Sequence, residues 1–178
     1  MSRIVILSGS PRRGGNTDSL VASFVKGAEE RNEVEVIPVC EYDINPCVGC
    51  NTCFEREGNK CFRNDGMTYV YDRLSRADMV VIASPVYFYG ISAQLKAAVD
   101  RLHTPMRNSF PVKKLGMLLV GAAELPELFD PILTQYRMIL RFFSLEDGGT
   151  VLVRGAREKG SVPQEDLDRA YRFGRSVI

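Results

Sequence analysis

Short apolar runs alternate with amphipathic helical stretches along this chain, and that alternation leaves few folds open. Arg3–Leu7 (RIVIL), Val34–Val39, Asp78–Ala83 (DMVVIA), Leu115–Val120 (LGMLLV) and Thr150–Val153 are brief strand candidates, and Arg3–Leu7 is rich in β-branched residues, as strands buried on both faces are. Between them apolar residues recur at helical spacing. From Asn16 to about Arg31, Leu20, Val21, Phe24, Val25 and Ala28 share one face. Further helices are predicted over Thr68–Ser75, Ile91–His103, Phe129 to about Phe143, and Gln164–Val177. Strict strand–helix alternation requires right-handed crossovers and a parallel sheet covered by helices on both faces.

For 178 residues this pattern predicts one α/β domain: a flavodoxin-like three-layer sandwich with a five-stranded parallel sheet in the order 2-1-3-4-5. Residues 1–178 form that single domain, with a cysteine-rich insert at about 43–65. A connection that long in a compact domain usually has a function. The formal charge of +1 sets up no broad field for nucleic acid or a membrane surface. The N-terminus lacks the apolar stretch of a signal peptide, and no run approaches the ~18 apolar residues of a spanning helix. A cytoplasmic protein is expected, with no nucleic-acid or membrane partner.

In sheets of this order, ligands sit at the carboxyl ends of the strands where the order reverses. The loop after the first strand reads Ser8-Gly9-Ser10-Pro11-Arg12-Arg13-Gly14-Gly15-Asn16-Thr17. Ser10, Asn16 and Thr17 offer side-chain donors, and Arg12 offers a charged fork. Gly14 and Gly15 let backbone N–H groups turn inward at a helix N-terminus, where negative charge is favoured. The spacing Gly9-x4-Gly14 nearly matches a P-loop, but Gly15-Asn16 stands where Lys-Ser/Thr is required, so no lysine is expected to reach a terminal phosphate. Pro11 spoils the dinucleotide fingerprint. A lone phosphomonoester fits, although a capped Gly/Ser/Asn turn would look the same.

The third strand ends in Ser84-Pro85-Val86-Tyr87-Phe88-Tyr89-Gly90. Its backbone and aromatic rings suit the edge and faces of a flat heterocycle, or packing beneath the next helix. A ring beside a phosphate describes flavin mononucleotide (FMN).

Cys47-x2-Cys50-x2-Cys53-x7-Cys61 is a compact thiolate set. Disulfides, structural zinc, an iron–sulfur cluster and a loop binding nothing are all compatible with it; the x2, x2 run is nearer to ferredoxin spacing than to paired zinc knuckles. Cys40, outside the set, reads as a buried core thiol. His103, the only histidine, reads as a surface or helix-end residue, and Asp100–Arg101 as a structural ion pair or turn. Arg154, Arg157 and Lys159, after the fifth strand, read as a solvated loop, with steering of an anionic nicotinamide cofactor as the alternative.

"GSPRRGGNT" at 9–17, "CVGCNTC" at 47–53 with Cys61, and "ADMVVIASPVYFYGISAQLKAAVDR" at 77–101 together resemble the flavodoxin-like NAD(P)H-dependent FMN reductases, and among them the iron–sulfur flavoproteins. The resemblance implies that Ser10, Arg12, Gly15, Asn16 and Thr17 hold the FMN phosphate, and that Pro85, Val86, Tyr87, Phe88 and Gly90 border the isoalloxazine. A third flavin-side loop would fall at Gly121-Ala122-Ala123-Glu124. Cys47, Cys50, Cys53 and Cys61 would hold a [4Fe–4S] cluster. The implied activity is transfer of electrons from NAD(P)H, or from a ferredoxin, to a quinone, nitro compound or flavin. A homodimer or homotetramer is implied too. A flavodoxin-like electron carrier or redox sensor is the alternative, and a zinc-stabilised mononucleotide-binding module a third. No catalytic side chain is expected, since hydride transfer to flavin needs no general base.

Overall fold

The computed structural model describes residues 1–177. Its elements are β1 (Arg3–Ser8), α1 (Asn16–Ala28), β2 (Glu33–Pro38), α2 (Thr52–Glu55), α3 (Met67–Leu74), β3 (Met79–Tyr87), β4 (Gly90–Ile91), α4 (Ala93–Asp100), β5 (Lys114–Val120), α5 (Asp130–Phe143), β6 (Glu146–Val153) and α6 (Gln164–Ser176). The parallel sheet runs β2-β1-β3-β5-β6, and β4 pairs antiparallel with the end of β3. Without β4, this is the expected five-strand order 2-1-3-4-5.

Alternating side chains of β1 go to different cores. Val5 and Leu7 join Ile37, Leu95, Phe129 and Tyr136 under α3, α4 and α5. Ile4 and Ile6 join Leu20, Phe24, Val151 and Ala170 under α1 and α6. Each fully buried aliphatic side chain contributes about 1.5–3 kcal/mol, which is why central strands read as unbroken apolar runs.

The departures from the sequence reading that matter most concern β3, α4 and β6. β3 does not stop at Ala83 but runs on to Tyr87 and turns back through β4, so the expected loop 84–90 is a hairpin. The predicted helix 91–103 is shortened accordingly to Ala93–Asp100, followed by a 3-10 turn at Arg101–His103. β6 starts at Glu146, not Thr150, and absorbs a bulge where Gly116 meets Gly149.

α1 and α6 cross at backbone contact. A Cβ added to Gly27 would lie 2.1 Å from the Tyr171 carbonyl oxygen, and one on Gly174 would lie 2.0 Å from that of Phe24. Phe24 and Phe173 meet edge to face beside this crossing, with centroids 5.0 Å apart.

Candidate functional site

Loop 9–17 and the aromatic hairpin leave neighbouring strand tips. Ser8 pairs with Ala83, and the Gly9 N–H donates to the Ala83 carbonyl at 2.8 Å. A Cβ on Gly9 would sit 2.5 Å from both Leu95 Cβ and Ser92 Oγ, so only glycine lets this loop reach the start of α4. Ser92 caps α4, accepting from Leu95 N–H at 3.3 Å, while its own N–H donates to Ser84 Oγ at 2.9 Å. The roots of the loop and the hairpin are thus welded together by two fully buried serines.

Within the loop, Ser10 Oγ donates to the Arg12 carbonyl at 3.1 Å and lies 3.3 Å from the Arg12 N–H. Gly14 has a φ of 62°, and its N–H donates to the Asp18 carboxylate at 2.7 Å. Gly15, the N-cap of α1, and Thr17 in its first turn are both buried. The Arg12 side chain is exposed, whereas Arg13 pairs with Glu41 at 3.1 Å.

Asn16 faces elsewhere. Its Nδ2 donates to the carbonyls of Ala156 at 2.9 Å and Glu158 at 2.8 Å, and its Oδ1 accepts from Gly160 N–H at 2.8 Å. The side chain therefore pins the β6–α6 loop to the head of α1, and what it leaves to an anion is its backbone. The loop so pinned carries Lys159, whose Nζ lies 3.2 Å from where a Gly14 Cβ would be. Lys159 is exposed, as a solvated loop implies, yet it reaches the 9–17 loop from the far end of the chain, a meeting the local spacing did not announce. Arg154 is likewise no free loop cation: it donates to the Leu125 and Pro126 carbonyls and lies over the Phe129 ring at 4.8 Å. Arg157 is exposed. The same β6–α6 loop clasps the third expected flavin-side segment, with Gly155 N–H donating to the Ala123 carbonyl and Ala156 N–H to that of Gly121.

At the hairpin, Pro85 and Val86 are half-buried, Gly90 closes the turn, and Phe88 and Tyr89 take φ of 47° and 64°. Consecutive left-handed residues normally call for Asn and Gly, and each such non-glycine residue costs on the order of 1–3 kcal/mol. Phe88 is nonetheless 98% exposed. The fold holds an aromatic tip in a strained conformation, with no core of its own to fill.

The cysteine segment is clipped shut at its base. Asp65 accepts from Arg101 Nη1 at 2.6 Å and 2.8 Å and from the backbone N–H of Asn45 and Met67, both at 3.1 Å. Both side chains are nearly sealed, at 2% exposure for Arg101 and 6% for Asp65. Burial alone would raise the Asp65 pKa, but the Arg101 hydrogen bond and the two backbone donors outweigh it and hold the carboxyl below its usual range. Of the ion pair or turn expected at Asp100–Arg101, the turn is present and the pair is not: Asp100 pairs with Lys96 instead.

Cys47, Cys50, Cys53 and Cys61 line one recess together with Tyr71, Arg101 and His103. All are free thiols, the first two exposed and the others half-buried. Gly49 and Asn51 turn the chain between them with φ of 65° and 59°. Hydrogen bonding to Thr52, whose Oγ1 lies 3.2 Å from Sγ, lowers the Cys50 pKa. Among the described residues, no three metal-ligating side chains are gathered tightly enough to hold an ion. The donor chemistry still suits an iron–sulfur cluster: four thiols face one recess, and beside them the buried Arg101 keeps an Nε donor that has no partner among the described residues. Such a cation would offset thiolate charge. Sequence reasoning gave Arg101 a structural role but missed its partner Asp65 and its place beside the cysteines, because nothing in its own neighbourhood marks either.

His103 is exposed at a helix end, as expected, but it has partners: its ring stacks on Phe142 at 5.7 Å and lies 6.0 Å from Phe54. Cys40 is half-buried, not fully buried; burial, then Asp18 and Glu41, push its thiol pKa up. None of the residues lining the cysteine recess belongs to loop 9–17 or to the hairpin. Among the described residues, no helix is long and apolar enough to cross a membrane.

Residues 2–129 match the family described as NADPH-dependent FMN reductase. An iron–sulfur flavoprotein of Methanocaldococcus jannaschii is 40% identical over 124 residues, covering 68% of this chain and 63% of that protein, less than two thirds of its length. An iron–sulfur flavoprotein of Archaeoglobus fulgidus is 34% identical over 98% of this chain and 78% of its own. Among solved structures, the NAD(P)H:quinone oxidoreductase of Methanothermobacter marburgensis superposes with a TM-score of 0.78 over 98% of this chain and 96% of that one, at 17% identity, a likeness of fold.

Proposed function

The chain belongs to the NADPH-dependent FMN reductase family, and from that premise we propose that it binds FMN across the tips of β1 and β3 and passes electrons from NAD(P)H to a small acceptor such as a quinone, nitro compound or flavin. One observation carries this reading: the 9–17 loop and the strained aromatic hairpin are joined at their roots by the Gly9–Ala83 hydrogen bond and the Ser84–Ser92 weld.

In this reading the backbone N–H groups at the head of α1, with Ser10, Thr17 and Arg12, receive the phosphate. Pro85, Val86, Tyr87, Phe88 and Gly90 border the ring and keep water from it. FMN, when bound, supplies hydride acceptance and onward electron transfer. The chain's own residues position and shield; no side chain at the two loops is needed as a general base. The exposed Phe88 favours completion of the ring's surroundings by a second subunit, in a homodimer or homotetramer.

Cys47, Cys50, Cys53 and Cys61 would hold a [4Fe–4S] cluster, which supplies a one-electron relay and makes a ferredoxin a suitable donor. The free thiols must draw together on loading, and the turns at Gly49 and Asn51 are where the segment can close. With Asp65–Arg101 clamping the base, that closure is confined to the segment itself.

The test is to mix FMN-loaded protein with NADH or NADPH without oxygen and follow the flavin absorbance. Bleaching by either is expected. Failure with both, alongside reduction by a ferredoxin, would leave an electron carrier instead of a reductase. Arg12→Ala is expected to weaken FMN binding by about 1.5–3 kcal/mol if it makes a charge-assisted bond, read by flavin fluorescence titration. Unchanged affinity would remove Arg12 from the site. Cys50→Ser, prepared without air, is expected to lose iron and acid-labile sulfide while keeping FMN; equal iron in variant and wild type would exclude Cys50 as a ligand.

A further inference from the structure

We infer that Lys159, carried on the β6–α6 loop, is a phosphate contact of the 9–17 loop and that Asn16 is the residue that positions it. The inference rests on the FMN reading above and adds to it a cation that no P-loop-like spacing announces.

Residues on both sides of Lys159 are fixed to the first residue of α1. Asn16 Nδ2 donates to the Glu158 carbonyl just before it, and Asn16 Oδ1 accepts from the Gly160 N–H just after it. Gly160, at φ of 80°, turns the chain back immediately. The ammonium thereby comes to rest on the open face of Gly14, where a Cβ would stand 3.2 Å from it. Glycine at 14 serves two purposes: it adopts a φ of 62°, and it leaves room for the lysine. Two carboxylates are close enough in sequence to compete for the cation. Asp18 is already engaged by the Gly14 N–H, and Glu158 joins no ion pair among the described residues. Lys159 and Arg12 likewise form no ion pair among the described residues. Two uncommitted cations therefore stand at a loop whose helix N-terminus already favours an anion.

A phosphomonoester dianion suits this arrangement. It has two sources in the proposed reaction, the FMN phosphate and the 2′-phosphate of NADPH. Contact with the Gly14 face of the loop assigns Lys159 to FMN.

The experiment uses the full chain with Lys159→Ala, Lys159→Arg and Lys159→Glu. FMN and riboflavin affinities are measured by fluorescence quenching at low and high salt, and NADPH is compared with NADH as reductant. Lys159→Ala is expected to weaken FMN about fivefold to thirtyfold, the low end reflecting solvent exposure, with riboflavin affinity unchanged. Lys159→Arg should retain most of the affinity, Lys159→Glu should lose more, and the alanine effect should shrink with salt. Equal weakening of FMN and riboflavin would overturn the assignment in favour of a structural role. Unchanged FMN affinity would also overturn it, and a falling NADPH-over-NADH preference would then place Lys159 at the other phosphate. Wild type that binds no FMN would instead defeat the functional reading on which the inference rests.

Discussion

Asp65→Asn is expected to destabilise the protein by about 3–5 kcal/mol, because it leaves the Arg101 guanidinium buried without a countercharge. Among the described residues Arg101 has no second carboxylate partner: its remaining hydrogen bond from Nη1 goes to the Asn45 carbonyl at 3.1 Å, and its Nε is without one. For a chain of this length the loss corresponds to a melting temperature lower by roughly 10 °C, measurable by circular dichroism. The variant should also be nicked by protease within the cysteine segment before the rest of the fold opens, since Asp65 ties both ends of that segment to the end of α4. The pH dependence has a definite sign. The folded-state pKa of Asp65 lies below its ordinary value of 3.8. Its contribution is complete above that ordinary value and is lost as pH falls towards the lower folded value. Wild type should therefore lose stability on acidification below about pH 4, and Asp65→Asn should lack that component. A variant within 1 kcal/mol of wild type, with the segment still protected, would show that the clamp is not what holds the insert.

Gly27→Val is expected to cost about 3 kcal/mol, the upper end for overpacking. Its first added carbon would lie 2.1 Å from the Tyr171 carbonyl oxygen and 2.9 Å from the Arg175 nitrogen, both backbone atoms of a helix that cannot step aside locally. α1 and α6 must separate, which opens the contact between Phe24 and Phe173 and strains the Ser23 hydrogen bond to the Leu167 carbonyl, 2.7 Å in the wild type. Denaturant unfolding should show a lower midpoint with an unchanged slope. Because the head of α1 lies a full helix length from the crossing, FMN affinity at low temperature should survive. A loss under 1 kcal/mol would mean that the helices are not held at backbone contact.

The sheet was legible because its central strands are buried on both faces. The runs at 3–7, 78–83 and 115–120 need no context to be read as strands. The edge was harder. Glu146, Asp147, Gly148 and Gly149 begin β6 without an apolar side chain among them, since an edge strand pairs through its backbone while exposing much of its surface. The hairpin was hidden for another reason: Phe88-Tyr89 has none of the turn chemistry its dihedral angles ordinarily demand.

At the candidate site, the local pieces could be read and the long-range ones could not. Glycines before a helix and aromatics after a strand are visible in a few consecutive residues. The Asp65–Arg101 pair joins residues 36 positions apart, and Lys159 meets Gly14 from the opposite end of the chain. Nothing in composition or period encodes such meetings; they exist only once the strand order brings the loops together. Asn16 shows the converse, since a residue type that suits an anion site spends its side chain on holding a neighbouring loop.

The most direct test is a crystal structure of the protein soaked with FMN. The phosphate is expected on the backbone N–H groups between residues 10 and 17, with the isoalloxazine against residues 85–90. Flavin bound at the cysteine recess or on another face, with loop 9–17 empty, would contradict the account.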